Sequence, residues 1–204
     1  MSLRARFDCW LNDRPMRTLS GKRALVTGAT GMMGSHLVRR LLRDGAEVLV
    51  FIRPGSDTIR LNDVLDACKI INGDLSDPKS IASAVGAAKP DYLFHFASTY
   101  FNPPTLSNQT HFAVNVLGTQ ALLESIRAFP DTRFVFAGSG SACAGGDGVK
   151  ETDHPNPSTL FGATKACASI TGQTYARLYG LSFVELRFFM PFGPWERPGR
   201  LLPY

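Results

Sequence analysis

Nowhere in its 204 residues does the sequence hold an apolar run approaching the roughly 18 residues of a membrane span. Its opening, MSLRARFDCWLNDRPMRTLSGK, has no apolar core of a secretory signal, and Asp8 and Asp13 argue against an Arg-rich transit peptide. Cysteine is scarce. Cys9, Cys68, Cys143 and Cys167 show neither C-x-x-C spacing nor pairing with His at metal-ligand intervals. That pattern excludes a disulfide framework and a thiolate metal site, and predicts reduced thiols in a cytoplasmic protein. Dense basic runs are also missing: the formal charge of +5 comes from scattered Lys and Arg, so no nucleic-acid footprint forms. Internal repeats and low-complexity tracts are absent as well. The expected partner is a small molecule, with no nucleic acid, membrane or metal.

What is present is a regular alternation. At 44% hydrophobic and 19% charged, the chain suits one domain with a sizeable core. Six apolar runs read as strands: RALVTG, AEVLVFIR, CKIINGD, DYLFHFAS, TRFVFAGS and LSFVELRFF. Helical spacing falls between them at Met32–Arg43, Pro78–Val85, Thr105–Ala128 and Leu160–Tyr179. Continuous apolar strands separated by helices predict strands buried on both faces in a parallel sheet, with helices on each side. Right-handed crossovers then make it α/β, a doubly wound Rossmann-type fold. Residues 1–21 read as an N-terminal extension and 22–204 as the dinucleotide-binding domain. The Pro- and Gly-rich FGPWERPGRLLPY follows the sixth strand, where a further substrate-binding portion is expected.

VTGATGMMGSH puts Gly28, Gly31 and Gly34 between the first strand and first helix, the setting of a dinucleotide fingerprint. Gly28 permits the tight turn, Gly31 lets backbone approach a pyrophosphate, and Gly34 allows close helix packing. The amides of Met32 and Met33 then face the phosphates at the helix N-terminus. At the end of the second strand an NAD site usually carries a carboxylate for the ribose 2′-hydroxyl. Here Ile52 takes that position and Arg53 follows, with Ser56 as a further donor. A guanidinium pairs with a 2′-phosphate, so NADP is expected ahead of NAD.

The G-x-x-G-x-x-G spacing, together with GDLSD (73–77), HFAS (95–98), NVLGT (115–119) and LRFFMPFGP (186–194), resembles the short-chain dehydrogenase/reductase superfamily. The likeness is to its extended branch of NAD(P)-dependent epimerase/dehydratase enzymes, which act largely on nucleotide sugars, and it covers about 22–204. The resemblance implies that Asp74 and Leu75 border the adenine. It sets Phe96, Ala97 and Ser98 along the ribose and pyrophosphate, and has Asn115 brace the central helix. Phe189 would reach the nicotinamide region. It also implies a catalytic Ser139 (Ser141 is a weaker substitute), and a Lys165 that holds the nicotinamide ribose. His95 reads as a satisfied histidine in a buried strand; His36, His111 and His154 read as structural or solvated. A homodimer is expected.

Three departures stand out. The family's Tyr-x-x-x-Lys becomes Phe161-x-x-x-Lys165, so the residue that moves the proton has no hydroxyl. Met190 stands where the family often has Asn, and ACAGG replaces the usual VYG after the serine. Phe161 admits three readings: an engineered Tyr→Phe change, a natural Phe with another group or water carrying the proton, or a non-catalytic dinucleotide-binding regulator. The other two departures leave an NADPH-dependent ketone reductase open beside a nucleotide-sugar enzyme.

Overall fold

The computed structural model describes residues 19–99, 107–143 and 148–196. Most of the N-terminal extension, the start of the 105–128 helix and the last eight residues lie outside the described residues. Six strands form one parallel sheet: β1 (Arg23–Thr27), β2 (Glu47–Ile52), β3 (Lys69–Asn72), β4 (Tyr92–His95), β5 (Arg133–Ser139) and β6 (Ser182–Phe188). Their order is β3-β2-β1-β4-β5-β6, the doubly wound arrangement whose direction reverses between β1 and β4. All six expected strands are present.

The helices are α1 (Met32–Arg43), α2 (Pro78–Ala88), α3 (Asn108–Phe112), α4 (Gly118–Ile126) and α5 (Leu160–Tyr179). Local chemistry sets their ends. Asp77 caps α2 by accepting from the Lys79 amide, with Pro78 at the first helical position. Thr159 caps α5 through the Gly162 amide, and Gly180 ends it in the left-handed region at φ +69°. A π-helical turn, Ala113–Leu117, joins α3 to α4 within the stretch whose spacing predicts one helix. Helix α2 runs three residues past the expected Val85 because Ala88 is fully buried against the sheet.

Two cores flank the sheet. Leu25, Leu93, Phe134 and Phe136 pack with Ile81 of α2, Leu122 and Leu123 of α4, and Ala168 of α5. On the opposite face Val26, Val48 and Val50 pack with Val38 and Leu41 of α1 and with Leu61. Burial on both faces holds for β1 and β2 and fails at the edges. β3 is largely exposed, and on β6 Val184 and Leu186 are open, whereas Phe183 on the other pleat packs on Phe134 and Phe136. An edge strand lacks a neighbour to one side, so an apolar run there does not guarantee cover. No described helix is long and apolar enough to cross a membrane. Among the described residues Cys68, Cys143 and Cys167 are free thiols, and no group of His, Cys, Asp or Glu could hold a metal.

Candidate functional site

A cleft of about 710 Å³ opens beyond the carboxyl ends of β1, β2 and β4, at the point where strand order reverses. Its floor is the turn between β1 and α1. Gly28 adopts φ +72°, and a Cβ there would collide with the Phe96–Ala97 backbone following β4. A Cβ at Gly34 would strike the Gly28 carbonyl, so this glycine lets the first turn of α1 fold onto the loop itself. Gly31 differs: its Cβ direction meets only the Gly28 carbonyl, at 3.2 Å. A side chain at Gly31 therefore asks that carbonyl to give by a few tenths of an ångström while filling the cleft that it lines. Met32 and Met33 open α1, whose first turn carries no acidic residue to compete for an anion. This backbone cradle fits a dinucleotide pyrophosphate.

Arg53, Asp74 and Leu75 line the far wall, and Phe96, Ala97 and Ser98 the near one. Asp74 accepts from both the Ser76 amide (2.8 Å) and its hydroxyl (2.7 Å). The amide bond above all, helped by the hydroxyl and the Arg53 charge, holds its carboxyl below the usual range. Asp57 and Arg60, which motif reading passes over, also line the cleft. The Asp57 carboxylate accepts from the Ile59 amide, while Arg60 Nε donates to the Trp195 carbonyl at 3.1 Å. His36, for which the sequence suggests no partner, has Nε2 3.1 Å from the Pro194 carbonyl. These bonds fasten the chain after β6 beside the glycine turn. Nothing local in the sequence signals either contact, since the partners lie more than 130 residues apart.

The second half of the site sits at the ends of β5 and α5, outside that cleft. Ser139 ends β5, half-buried, and its Oγ accepts from the Ser141 amide at 3.1 Å. The start of α5 packs on this turn so closely that a Cβ at Gly162 would meet the Ser141 carbonyl. Lys165 is buried and donates to the Ala137 carbonyl at 2.8 Å. Its Nζ lies 4.9 Å from the Phe136 ring centroid and 5.9 Å from that of Phe161. One helical turn thus separates residues 161 and 165 on a shared face. Burial pulls the Lys165 ammonium down from its usual 10.5 to about 8, against the opposing pull of Glu185. Phe189 is exposed and lies against Gly140, and Met190 holds φ +44° with 79% of its surface open.

Buried polar side chains join the two halves. The Ala97 amide donates to Thr27 Oγ1 (3.3 Å), which lies 2.7 Å from His95 Nδ1; His95 Nε2 lies 2.9 Å from Thr119 Oγ1, which donates to the Asn115 carbonyl. Those end points fix the proton order: Thr27 donates to Nδ1, and Nε2–H donates to Thr119. The imidazole is neutral and fully engaged. Burial, with the Lys165 charge second, pushes it from 6.5 to about 3, so His95 is structural, as its strand position suggests. Asn115 accepts from the Thr99 amide and donates to Thr164 Oγ1, whose hydroxyl bonds the Phe161 carbonyl. It braces the end of β4 against α5. His111 Nδ1 adds a 2.7 Å contact with Thr99 Oγ1, and His154 is exposed.

With that geometry in place, comparison with known proteins is decisive. The family model for the NAD-dependent epimerase/dehydratase family matches residues 24–204. The chain belongs to that family. Among curated relatives it is similar to UDP-glucuronate 4-epimerase 1 of Arabidopsis thaliana, 32% identical over 87% of this chain and 44% of that protein. It is also similar to a probable UDP-glucuronate 4-epimerase of Rhizobium meliloti, 28% identical over 88% and 56%. Among solved structures, UDP-glucose 4-epimerase of Thermus thermophilus in complex with NAD matches with TM-score 0.73 and 31% identity, over 81% of this chain and 54% of that one. The chain spans about half the length of the curated relatives it matches. Family membership agrees with the resemblance read from the motifs, and the fold with its Rossmann expectation.

Proposed function

We propose that the chain is the dinucleotide-binding part of an enzyme that epimerises, dehydrates or reduces a nucleotide sugar through hydride transfer. The observation that carries this reading is the glycine cradle at the floor of the cleft beyond β1, β2 and β4, which Asn115 ties through Thr99 and Thr164 to the helix that carries Lys165. Bound there, nicotinamide would supply a hydride acceptor and donor. The Met32 and Met33 amides hold the pyrophosphate, Asp74 and Leu75 border the adenine, and Phe96, Ala97 and Ser98 flank ribose and phosphate. Lys165 holds the nicotinamide ribose, Ser139 polarises the reacting oxygen, and Phe189 closes over the nicotinamide end. Asn115 positions α5.

NADP is our preferred cofactor, although solved relatives carry NAD. The support is that β2 ends on buried Ile52 with exposed Arg53 just after it, and that the Asp57 carboxylate is engaged by its own turn. A nucleotide-sugar substrate is supported by relatives such as UDP-glucuronic acid 4-epimerase of Bacillus cereus, solved with UDP-glucuronic acid and NAD (TM-score 0.74, 25% identity, 87% of this chain and 59% of that one). The exposed Leu117 and Ile170 beside the central helices support a homodimer, which light scattering would measure. Phe161 favours a second reading, a dinucleotide-binding regulator without turnover.

Calorimetry with NAD and NADP tests the assignment. Binding is expected in the micromolar range or tighter and should vanish in Gly31→Val, whose branched side chain occupies the phosphate path, with circular dichroism showing that the variant is folded. Unchanged affinity in that variant rejects the site.

A further inference from the structure

Glu185 lies in the middle of β6, in a run of sequence that otherwise reads as an apolar strand. Its side chain is only 10% exposed. One oxygen is accounted for: Oε2 accepts from Ser169 Oγ at 2.7 Å and lies 3.3 Å from Arg187 Nε. The other, Oε1, is buried and accepts no hydrogen bond among the described residues. It occupies the space beside Gly138 that a side chain at 138 would fill, since a Cβ built there would collide with it. Gly138 follows Ala137, whose carbonyl receives Lys165 Nζ. Ser169, which holds Oε2, stands one turn after Lys165 on α5.

A buried carboxylate oxygen without a donor is costly unless something nearby uses its charge. Arg187 pairs with Oε2, and Lys165 is a second cation that the carboxylate acts on. Its ammonium commits one proton to Ala137, leaving two, and it feels the Glu185 charge. We propose that Glu185 is a positioning residue for Lys165: its carboxylate, seated in the room left by Gly138, keeps the ammonium charged at the end of β5, ready for the cofactor's ribose. This rests on the dinucleotide-binding reading above. The device matters here because Phe161 brings no phenol to share a proton with the lysine. Among the described residues, the other titratable or charged groups around Lys165 are His95 from β4, neutral and fully bonded, Arg187 behind Glu185 on β6, and the buried Cys143 near Arg187. Its own helix adds only the exposed Cys167 within a turn.

The test is an NMR titration of the chain carrying 13C-labelled lysine, run on the parent, Glu185→Gln and Gly138→Ala. Glu185→Gln removes the charge with little change of shape; Gly138→Ala displaces the carboxylate while keeping it. Both should lower the midpoint of the Lys165 resonance by about one pH unit, the effect of one opposite charge at short range. Calorimetry with NADP and NAD across the same pH range gives the functional arm. Glu185→Gln should bind about eightfold more weakly than the parent near pH 8.5, and within about twofold of it near pH 6. An unmoved midpoint overturns the proposal, and so does an affinity loss equal at every pH, which is the mark of a purely structural role. Failure of the parent to bind either cofactor would reject the dinucleotide-binding reading instead, and the NMR midpoint would still decide whether Glu185 governs Lys165.

Discussion

The two sides of the sheet centre are built differently. β1 and β2 are covered on both faces, by α1 on one and α2 and α4 on the other, and the cleft beyond them is floored by a glycine turn shaped by backbone contacts. β5 and β6 are covered by α5 on one face, while Val184 and Leu186 stay open on the other. The site residues proposed there would act through side chains: Ser139, Phe161, Lys165 and Glu185. The cofactor side is therefore rigid by construction, because its shape follows from where no Cβ fits. The reactive side owes its properties to charges and hydroxyls that one substitution can change, and Phe161 is such a place.

The largest effect expected of this contrast is in acid. His95 bridges the halves as a neutral imidazole pushed to about 3, whereas the unfolded chain protonates near 6.5. Its stability contribution is complete above about pH 6.5 and is lost as pH falls toward 3, a loss of about 5 kcal/mol over that window. Urea unfolding from pH 7 to 4 should show a steeper decline in the parent than in His95→Gln, which cannot charge. Parallel declines would mean that the bridge does not hold the imidazole neutral.

Next in size is the proton carrier. Phe161→Tyr sets a hydroxyl at the tip of a ring already facing Lys165, whose charge pulls the phenol below its usual value near 10. Turnover of UDP-glucose or UDP-glucuronate by the whole protein should rise about 10²–10⁴-fold with cofactor affinity unchanged. A parent that already turns over and gains nothing shows that another group carries the proton. Bound cofactor without turnover in either form favours the regulator.

Packing supplies a third comparison. Leu25→Ala, fully buried in the core beneath α2 and α4, should cost about 2–5 kcal/mol, and Leu186→Ala on the open face less than about 1 kcal/mol. Equal losses by chemical denaturation would contradict the unequal cover. The smallest effect concerns Arg53→Ala, expected to weaken NADP binding by about 1.5–3 kcal/mol and leave NAD nearly unchanged. Equal losses for the two would assign Arg53 to packing and remove the NADP preference.

The fold was legible because each strand is a compact apolar run and helices such as α2 and α5 carry a cap or breaker at their ends. The π-turn at Ala113–Leu117 was not, since one inserted residue barely disturbs a helical pattern, yet it is the turn that carries Asn115. The glycine turn was legible because close backbone approach permits few residue types. Arg60, and the partner of His36, were not legible because the carbonyls they meet lie in a distant loop. Glu185 had one visible signal, a lone carboxylate in an apolar strand. Its meaning needed the β5–β6 register, which puts Phe136 opposite it and leaves Gly138 two residues along.

The Phe189 ring, laid against Gly140 where no Cβ intervenes, makes that glycine a natural reporter. Its α-protons lie within the ring-current field of the benzene ring and should resonate away from ordinary glycine positions. Any ligand that lifts Phe189 from the β5 turn would return them toward ordinary values, so the reactive end of the sheet carries its own label-free signal of opening.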